Sequence, residues 1–499
     1  MLAWVSVAFI MCPFFFASLR GLPSSRLLFL VVGVLWVQNL RAQPNPELGL
    51  VEQALDPRLE EHVEGASKAS LANYRGEHSK ELRKLYGDRD AQLLARYEES
   101  GFKTDEYWQA WIDGLLSHIA EANPGKISPR QRVYINRGTS VNARCYGNGV
   151  AAIDMGLLAR LSSEDEVAFV LCHELAHQIL DHVDNRYAAY VDLLFDRETQ
   201  KTLRRLRRQS FGGYQEYLDL TESLSFEFSR HSRYGEIAAD SLGVALYQAA
   251  GFGVDGPVNV MRVLAKADSS AYADSLDLVS ALSVPDYPAK TRWFKQYQST
   301  FLLRTDTLTQ SERDSLRTHP DTELRTEKLR LMLGGYQPGL ANAQRDDYTA
   351  RRQVAQRELV AGAFDADRLD LALYYALRGL ERHPDDAWYR GTAALSLSFL
   401  AQARSNTHFS QVAPMPSSMQ DPHRRALSEV LHRMRGKDMR DLAFHYAVFA
   451  REVRDTPEAA MALIVAADLD PDRSKAARLA RSHFRKTYPR HPYAAWLMD

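Results

Sequence analysis

"FVLCHELAHQILDH", residues 169–182, sets two histidines one helical turn apart around a glutamate. Positions i and i+4 of an α-helix share a face, so His173 and His177 can reach one metal ion together. Glu174, between them, stands where it can take a proton from a water that the metal acidifies. The flanking residues agree with a helix. "LSSEDE" (161–166) supplies a serine cap and acids for the first turn, and two histidines within an apolar helix need a partner of some kind.

A catalytic zinc takes a third protein ligand and keeps a fourth position open. An immediate continuation with glycine at 180 and histidine at 183 is absent, because Leu180 and Val183 stand there. Downstream, "FSRHSRYGEIAADSLGVALYQAAGF" (228–252) offers Glu236 and Asp240 at i and i+4 on an otherwise small and apolar helix. Two acids on the buried side of such a helix need a cation. Glu236 can ligate the metal, and Asp240, one turn on, can accept the free N–H of a ligating histidine. A surface pair of acids capped by Arg233 is the alternative. Glu227 and His231 are weaker candidates, and His182, five residues past His177, falls off the ligand face of a continuous helix.

The combination resembles a known family. H-E-x-x-H followed by Ser232, Arg233, Glu236, Ala239, Asp240 and Gly243 is similar to the zinc metallopeptidases that include the CAAX prenyl protease, HtpX and the periplasmic BepA-type proteases. "VNARCYGNGVAAIDMGLL" (141–158) is similar to the family's strand region, and "THPDTELR" (318–325) to its histidine-proline-…-arginine segment. The resemblance spans about residues 130 to 330. It implies one zinc ion per chain on His173, His177 and Glu236, with Asp240 behind the ligands and Glu174 as general base. His319 or Arg325 would supply an oxyanion or substrate contact, unless His319 only caps a helix. An extended substrate would add to an edge strand in "NARCYGNG" (142–149), where Asn142, Ala143 and Arg144 are the candidate contacts.

The rest of the chain sets the context. At 499 residues with a net charge of −1 and no long basic run, the protein is not built for nucleic acid. The densest basic patch, "LRRLRRQ" (203–209), is short. Residues 1–42 read as a signal peptide or an N-terminal membrane anchor, from arginines ahead of the apolar "LLFLVVGVLWV" (27–37) and a small residue at Ala42. This predicts a periplasmic or secreted protein, with membrane contact only through that segment if it is not cleaved. Cys145 and Cys172 read as two buried thiols, with a bridge between them left open.

Residues 43–122 are patterned as helices, 123–338 hold the metal motifs and the only convincing strands, and two long helices are expected at about 185–208 and 214–249. In 339–499, Pro384, Pro422, Pro457 and Pro492 recur at spacings of 38, 35 and 35 residues, which resembles tetratricopeptide repeats. The expected fold is α+β and mostly helical: a gluzincin-like metallopeptidase domain with a small β-sheet, then an all-α repeat domain. The expected function is a zinc endopeptidase acting on unfolded or misassembled envelope proteins, with repeats that hold substrate or envelope assembly machinery. A repeat-based chaperone or assembly scaffold with a silent or auto-inhibited protease domain is the alternative.

Overall fold

"RVYIN" and "VAAID" are too apolar for strands that show one face to water, and the structure covers both of their faces. The computed structural model describes residues 57–208, 234–267, 276–294, 322–334, 348–416 and 422–497. β2 (Arg132–Asn136) and β4 (Val150–Asp154) run parallel at the centre of a four-stranded sheet. β1 (Phe102–Lys103) pairs antiparallel with β2, and β3 (Ala143–Cys145) antiparallel with β4, giving the order β1-β2-β4-β3. The period of two sorts the central side chains. Val133, Ile135, Ala151 and Ile153 enter the main core, while Tyr134, Val150 and Ala152 meet Leu59, Val63 and Leu93. The second group lies on helices α1 (Pro57–Asn73) and α2 (Ser79–Glu98).

β1 falls inside the stretch that the sequence pattern assigns to helices alone. Ser100 adopts a left-handed conformation (φ 54°) after α2, and the next strand residues pair with β2 before α3 (Glu106–Ala122) begins. The side chain of Asp105 caps α3 at Trp108 N. α3 buries Trp108, Trp111, Ile112, Leu115 and Ile119 in the core that also takes the metal-motif helix. Packing therefore does not set α3 apart from the segment that carries the metal motifs. Beyond β4, the short α4 (Met155–Leu158) leads into α5 (Glu164–Ile179), the helix of the H-E-x-x-H motif. Ser163 accepts from Glu166 N as its cap, and α5 packs across β3 and β4.

The helix expected at about 185–208 is two helices, α6 (His182–Phe195) and α7 (Arg197–Arg208). Asp196 divides them, accepting from Glu198 N and Thr199 N at 2.9 and 3.3 Å. An aspartate satisfies the amides of a new helix better than it continues an old one. Of the second long helix, α8 covers 234–249; its expected earlier part lies outside the described residues. α9 (Gly256–Ala267) packs on α5, then come the single turn α10 (Leu278–Ala281) and α11 (Thr322–Leu333), which packs on α9. Among the described residues no helix is long and apolar enough to cross a membrane; residues 1–42 lie outside them.

The last third is helical: α12 (Tyr348–Asp365), α13 (Leu369–Arg382), α14 (Ala387–Ser405), the turn α15 (Phe409–Val412), α16 (Pro422–Arg433), α17 (Gly436–Val453), α18 (Pro457–Asp468) and α19 (Ser474–Thr487). Pro422 and Pro457 open helices, where a missing N–H costs nothing. The packing centres on α14, which buries most of its length and lies chiefly against α17 and α18, while α16 rests on α13. Alanines such as Ala393, Ala401 and Ala462 let these helices approach, and Ser398 Oγ donates across to Ala462 O at 3.0 Å.

One apolar core runs from Trp111 and Phe169 through Trp293 and Tyr348 to Leu373 and Leu400, so both halves share it. α12 docks on the sheet side. The Tyr348 hydroxyl donates to Leu158 O at 2.7 Å, Lys103 pairs with Glu358 at 2.9 Å, Arg137 pairs with Asp365, and Arg351 lies over the Tyr107 and Trp111 rings. Farther along, Lys290, Arg292 and Trp293 grip Asp438 of α17 at 2.7, 2.6 and 3.4 Å. Tyr287 stacks on His445 with ring centres 5.1 Å apart.

Candidate metal centre

α5 and α8 cross at Gly243. A Cβ there would stand 3.2 Å from His173 Cα and 3.3 Å from its nitrogen, so the missing side chain is what lets the helices come this close. Two turns earlier on α8, Glu236 reaches the histidines. The Nε2 atoms of His173 and His177 lie 3.1 Å apart, with Glu236 Oε2 3.4 Å from the first and Oε1 3.4 Å from the second. These ligand atoms all fall within 4.8 Å of one another. Two imidazole nitrogens turned towards each other and a carboxylate make a poor hydrogen-bond cluster but a suitable donor set for a metal. Two histidines and one glutamate leave a fourth position open, as a catalytic zinc requires.

Behind the three, Asp240 Oδ1 lies 3.0 Å from His173 Nδ1. Arg325 of α11, only 2 % exposed, closes the arrangement: its Nε and Nη2 donate to Asp240 at 2.7 and 2.8 Å, and Nη1 sits 2.9 Å from Glu236 Oε2. Burial alone would raise the Glu236 carboxyl. Contacts to His173 and His177, with the Arg325 charge, outweigh burial and hold it well below the usual carboxylate range. Asp240 is lowered in the same way, against burial, by Arg325 and His173. Arg325, expected as an oxyanion or substrate contact, is engaged by Asp240 through two of its nitrogens and stands beside Glu236 with the third, in the wall of the same cleft. His319, Glu227, His231 and Arg233 lie outside the described residues.

Glu174 is 8 % exposed and lines a cleft of about 540 Å³ together with His173, His177 and Glu236. Asn142, Ala143, Arg144 and Cys145 form part of the same wall. Among the described residues β3 ends the sheet, and one of its sides has no neighbouring strand. Tyr146 N donates to Val150 O and Asp154 N to Asn142 O, each at 2.9 Å. By alternation, residues 142, 144 and 146 turn their main chain to β4, and Ala143 and Cys145 turn theirs to the open edge. The Arg144 side chain is held by Asp154 at 3.0 Å. Gly147 and Gly149, with φ of 77° and 78°, make the turn into β4. Gln178 of α5 fixes this hairpin, accepting from Gly149 N at 3.1 Å and from Cys145 Sγ at 3.5 Å. Cys145 and Cys172 are both free thiols, and burial pushes the Cys145 thiol up to about 12.

Residues 107–333 match the model of peptidase family M48. The M48 match opens in α3, closes at the last residue of α11, and takes in strands β2, β3 and β4, the H-E-x-x-H helix, Glu236 and Arg325, leaving β1 just outside. It supports a metallopeptidase of the M48 type. No curated protein matches the chain.

The M48 segment also holds a residue that helical spacing sets aside. α5 ends at Ile179, and Asp181 takes a left-handed conformation (φ 52°) that starts α6 in a new direction. His182 is thereby brought back, with its Nδ1 3.0 Å from Nδ1 of His177. His182 stays outside the ligand group, as expected from its spacing, but it reaches the outer nitrogen of His177 because the helix has already stopped. The aspartate before His182, a residue type tolerant of left-handed backbone, was the available signal.

Proposed function

We propose that the protein is a zinc-dependent endopeptidase that hydrolyses bonds within extended stretches of unfolded or misassembled envelope proteins. The observation that carries this is the convergence of His173, His177 and the Glu236 carboxylate on one point, beside Glu174, in a cleft walled by a strand edge that no other strand of the described residues covers. Zinc bound by these three residues would supply Lewis-acid polarisation of the scissile carbonyl and acidify water. The chain's own residues do the rest. Ala143 and Cys145 offer main-chain N–H and C=O groups to a substrate segment, which pairs as an added strand with little regard to its sequence. Glu174 takes the proton from the attacking water and passes it to the departing amine as the C–N bond breaks. Asp240 and Arg325 hold His173 and Glu236 in place.

The substrate class rests on main-chain recognition, because an added strand must first be free of other structure. Envelope localisation rests on the N-terminal segment, and the helical last third offers the surface for substrates or assembly partners in the manner of tetratricopeptide repeats. The deciding experiment measures zinc per chain and casein breakdown for the purified protein and Glu174→Gln. The reading expects about one zinc in both and cleavage slowed about 10²–10⁴-fold in the variant. Zinc retained with no cleavage by the wild type would favour the scaffold alternative, and no zinc at all would end the metallopeptidase reading.

A further inference from the structure

The two histidines of the centre have different partners on their outer nitrogens. His173 Nδ1 faces a carboxylate oxygen of Asp240 at 3.0 Å. His177 Nδ1 faces another imidazole, Nδ1 of His182, also at 3.0 Å, with the rings 5.0 Å apart and inclined at 72°. We infer that His182 is a positioning residue that fixes the tautomer and ring orientation of His177 as a metal ligand; the inference rests on the metal reading above.

Two imidazole nitrogens 3.0 Å apart are attractive only if one carries a proton and the other a lone pair. His177 Nε2 is the atom that faces His173 and Glu236, so its lone pair belongs to the metal and its proton to Nδ1. His182 Nδ1 must then be the acceptor, with its own proton on Nε2. The direction of this bond is dictated by the ligand geometry alone.

Local backbone geometry brings the contact about. Asp181 turns the chain so that His182 becomes the first residue of α6, and its ring rests against α8 at Gly235, where a Cβ would sit 3.6 Å from Nδ1. The glycine leaves that space open, and the ring lies over it without crowding. A carboxylate in place of His182 could also accept the proton. It would add a fourth acid to Glu174, Glu236 and Asp240, which have the single buried cation Arg325 among them in the described residues. A neutral imidazole orients His177 without making the site more anionic, and leaves the two ligands unequal in basicity.

Zinc affinity, read by chelator competition, and the visible bands of the cobalt-substituted protein report ligand orientation independently of activity. His182→Leu is expected to weaken zinc binding about 10–100-fold and to move the cobalt bands, with the urea midpoint of the metal-free protein unchanged. His182→Asn keeps an acceptor oxygen near the position of Nδ1 and should restore most of the affinity. On the zinc-loaded wild type, ¹⁵N shifts should show His182 protonated at Nε2 and bare at Nδ1. Wild-type affinity and bands in His182→Leu, or an asparagine variant as weak as the leucine one, would overturn the inference, as would a His182 protonated at Nδ1. A wild type that takes up no zinc would overturn the metal reading and this inference together; a loaded wild type with an indifferent His182→Leu overturns this one alone.

Discussion

Arg325 is a full positive charge shared by the buried Asp240 and the half-buried Glu236. Removing one member of a buried ion pair strands the other, at a cost of about 3–5 kcal/mol. Arg325→Leu is therefore expected to lower the unfolding free energy of the metal-free protein by about that much, read from urea titrations in chelator at unchanged slope. A loss below about 1 kcal/mol would mean that Glu236 and Asp240 find other compensation. Legibility at this scale depends on spacing. His173 with His177, and Glu236 with Asp240, stand one turn apart on helices, so their chemistry can be read from the string. The pairing of Asp240 with Arg325 bridges 85 residues and leaves no periodic trace; similarity to a family segment picked Arg325 out but could not say which way its guanidinium turns. The contact of His182 with His177 was hidden because a periodic rule holds only to the end of its helix.

Among elements, β3 is the one whose geometry makes a claim about substrate. Proline at an edge-facing position removes an N–H that β4 does not use. Ala143→Pro should thus raise KM for an unfolded protein substrate several-fold, up to about tenfold for one lost hydrogen bond, with kcat and the melting temperature nearly unchanged. Arg144→Pro removes a group turned to β4 and should lower the melting temperature as well. Equal effects of the two on KM and stability would deny β3 its part in recognition. β3 and β4 were readable because valine- and alanine-rich runs flank a glycine turn. β1 was not, since two residues carry no pattern and its existence depends on β2 being there to pair with. The break at Asp196 was legible in principle, because a capping residue stood in the middle of the predicted helix, but the helix-forming residues on either side overrode it.

For the molecule as a whole, Asp438 ties the last third to the segment 284–294. Burial would raise its carboxyl, and the hydrogen bonds from Arg292, Lys290 and Trp293 outweigh that and hold it at about 2, against about 3.9 in an unfolded chain. The stabilisation is therefore complete above about pH 4 and drains away as the pH falls towards 2. Melting temperatures of the wild type and Asp438→Asn should differ at pH 6 and converge across that acid window; a constant gap would assign the difference to something other than this carboxylate. The proline spacing was enough to place helices near Pro384, Pro422 and Pro457, since proline starts helices by a local rule. It could not show that α14 becomes the hub, because that depends on which alanine-lined surfaces meet after folding. Nor did it show that Tyr348, Glu358 and Asp365 on α12 lock onto Leu158, Lys103 and Arg137. That seam limits how such a protein can be recombined. A helical array borrowed from elsewhere would inherit no matching face for the front half, so a working chimera has to carry α12 with the front of the chain and also reproduce the α17 face that holds Asp438 and His445.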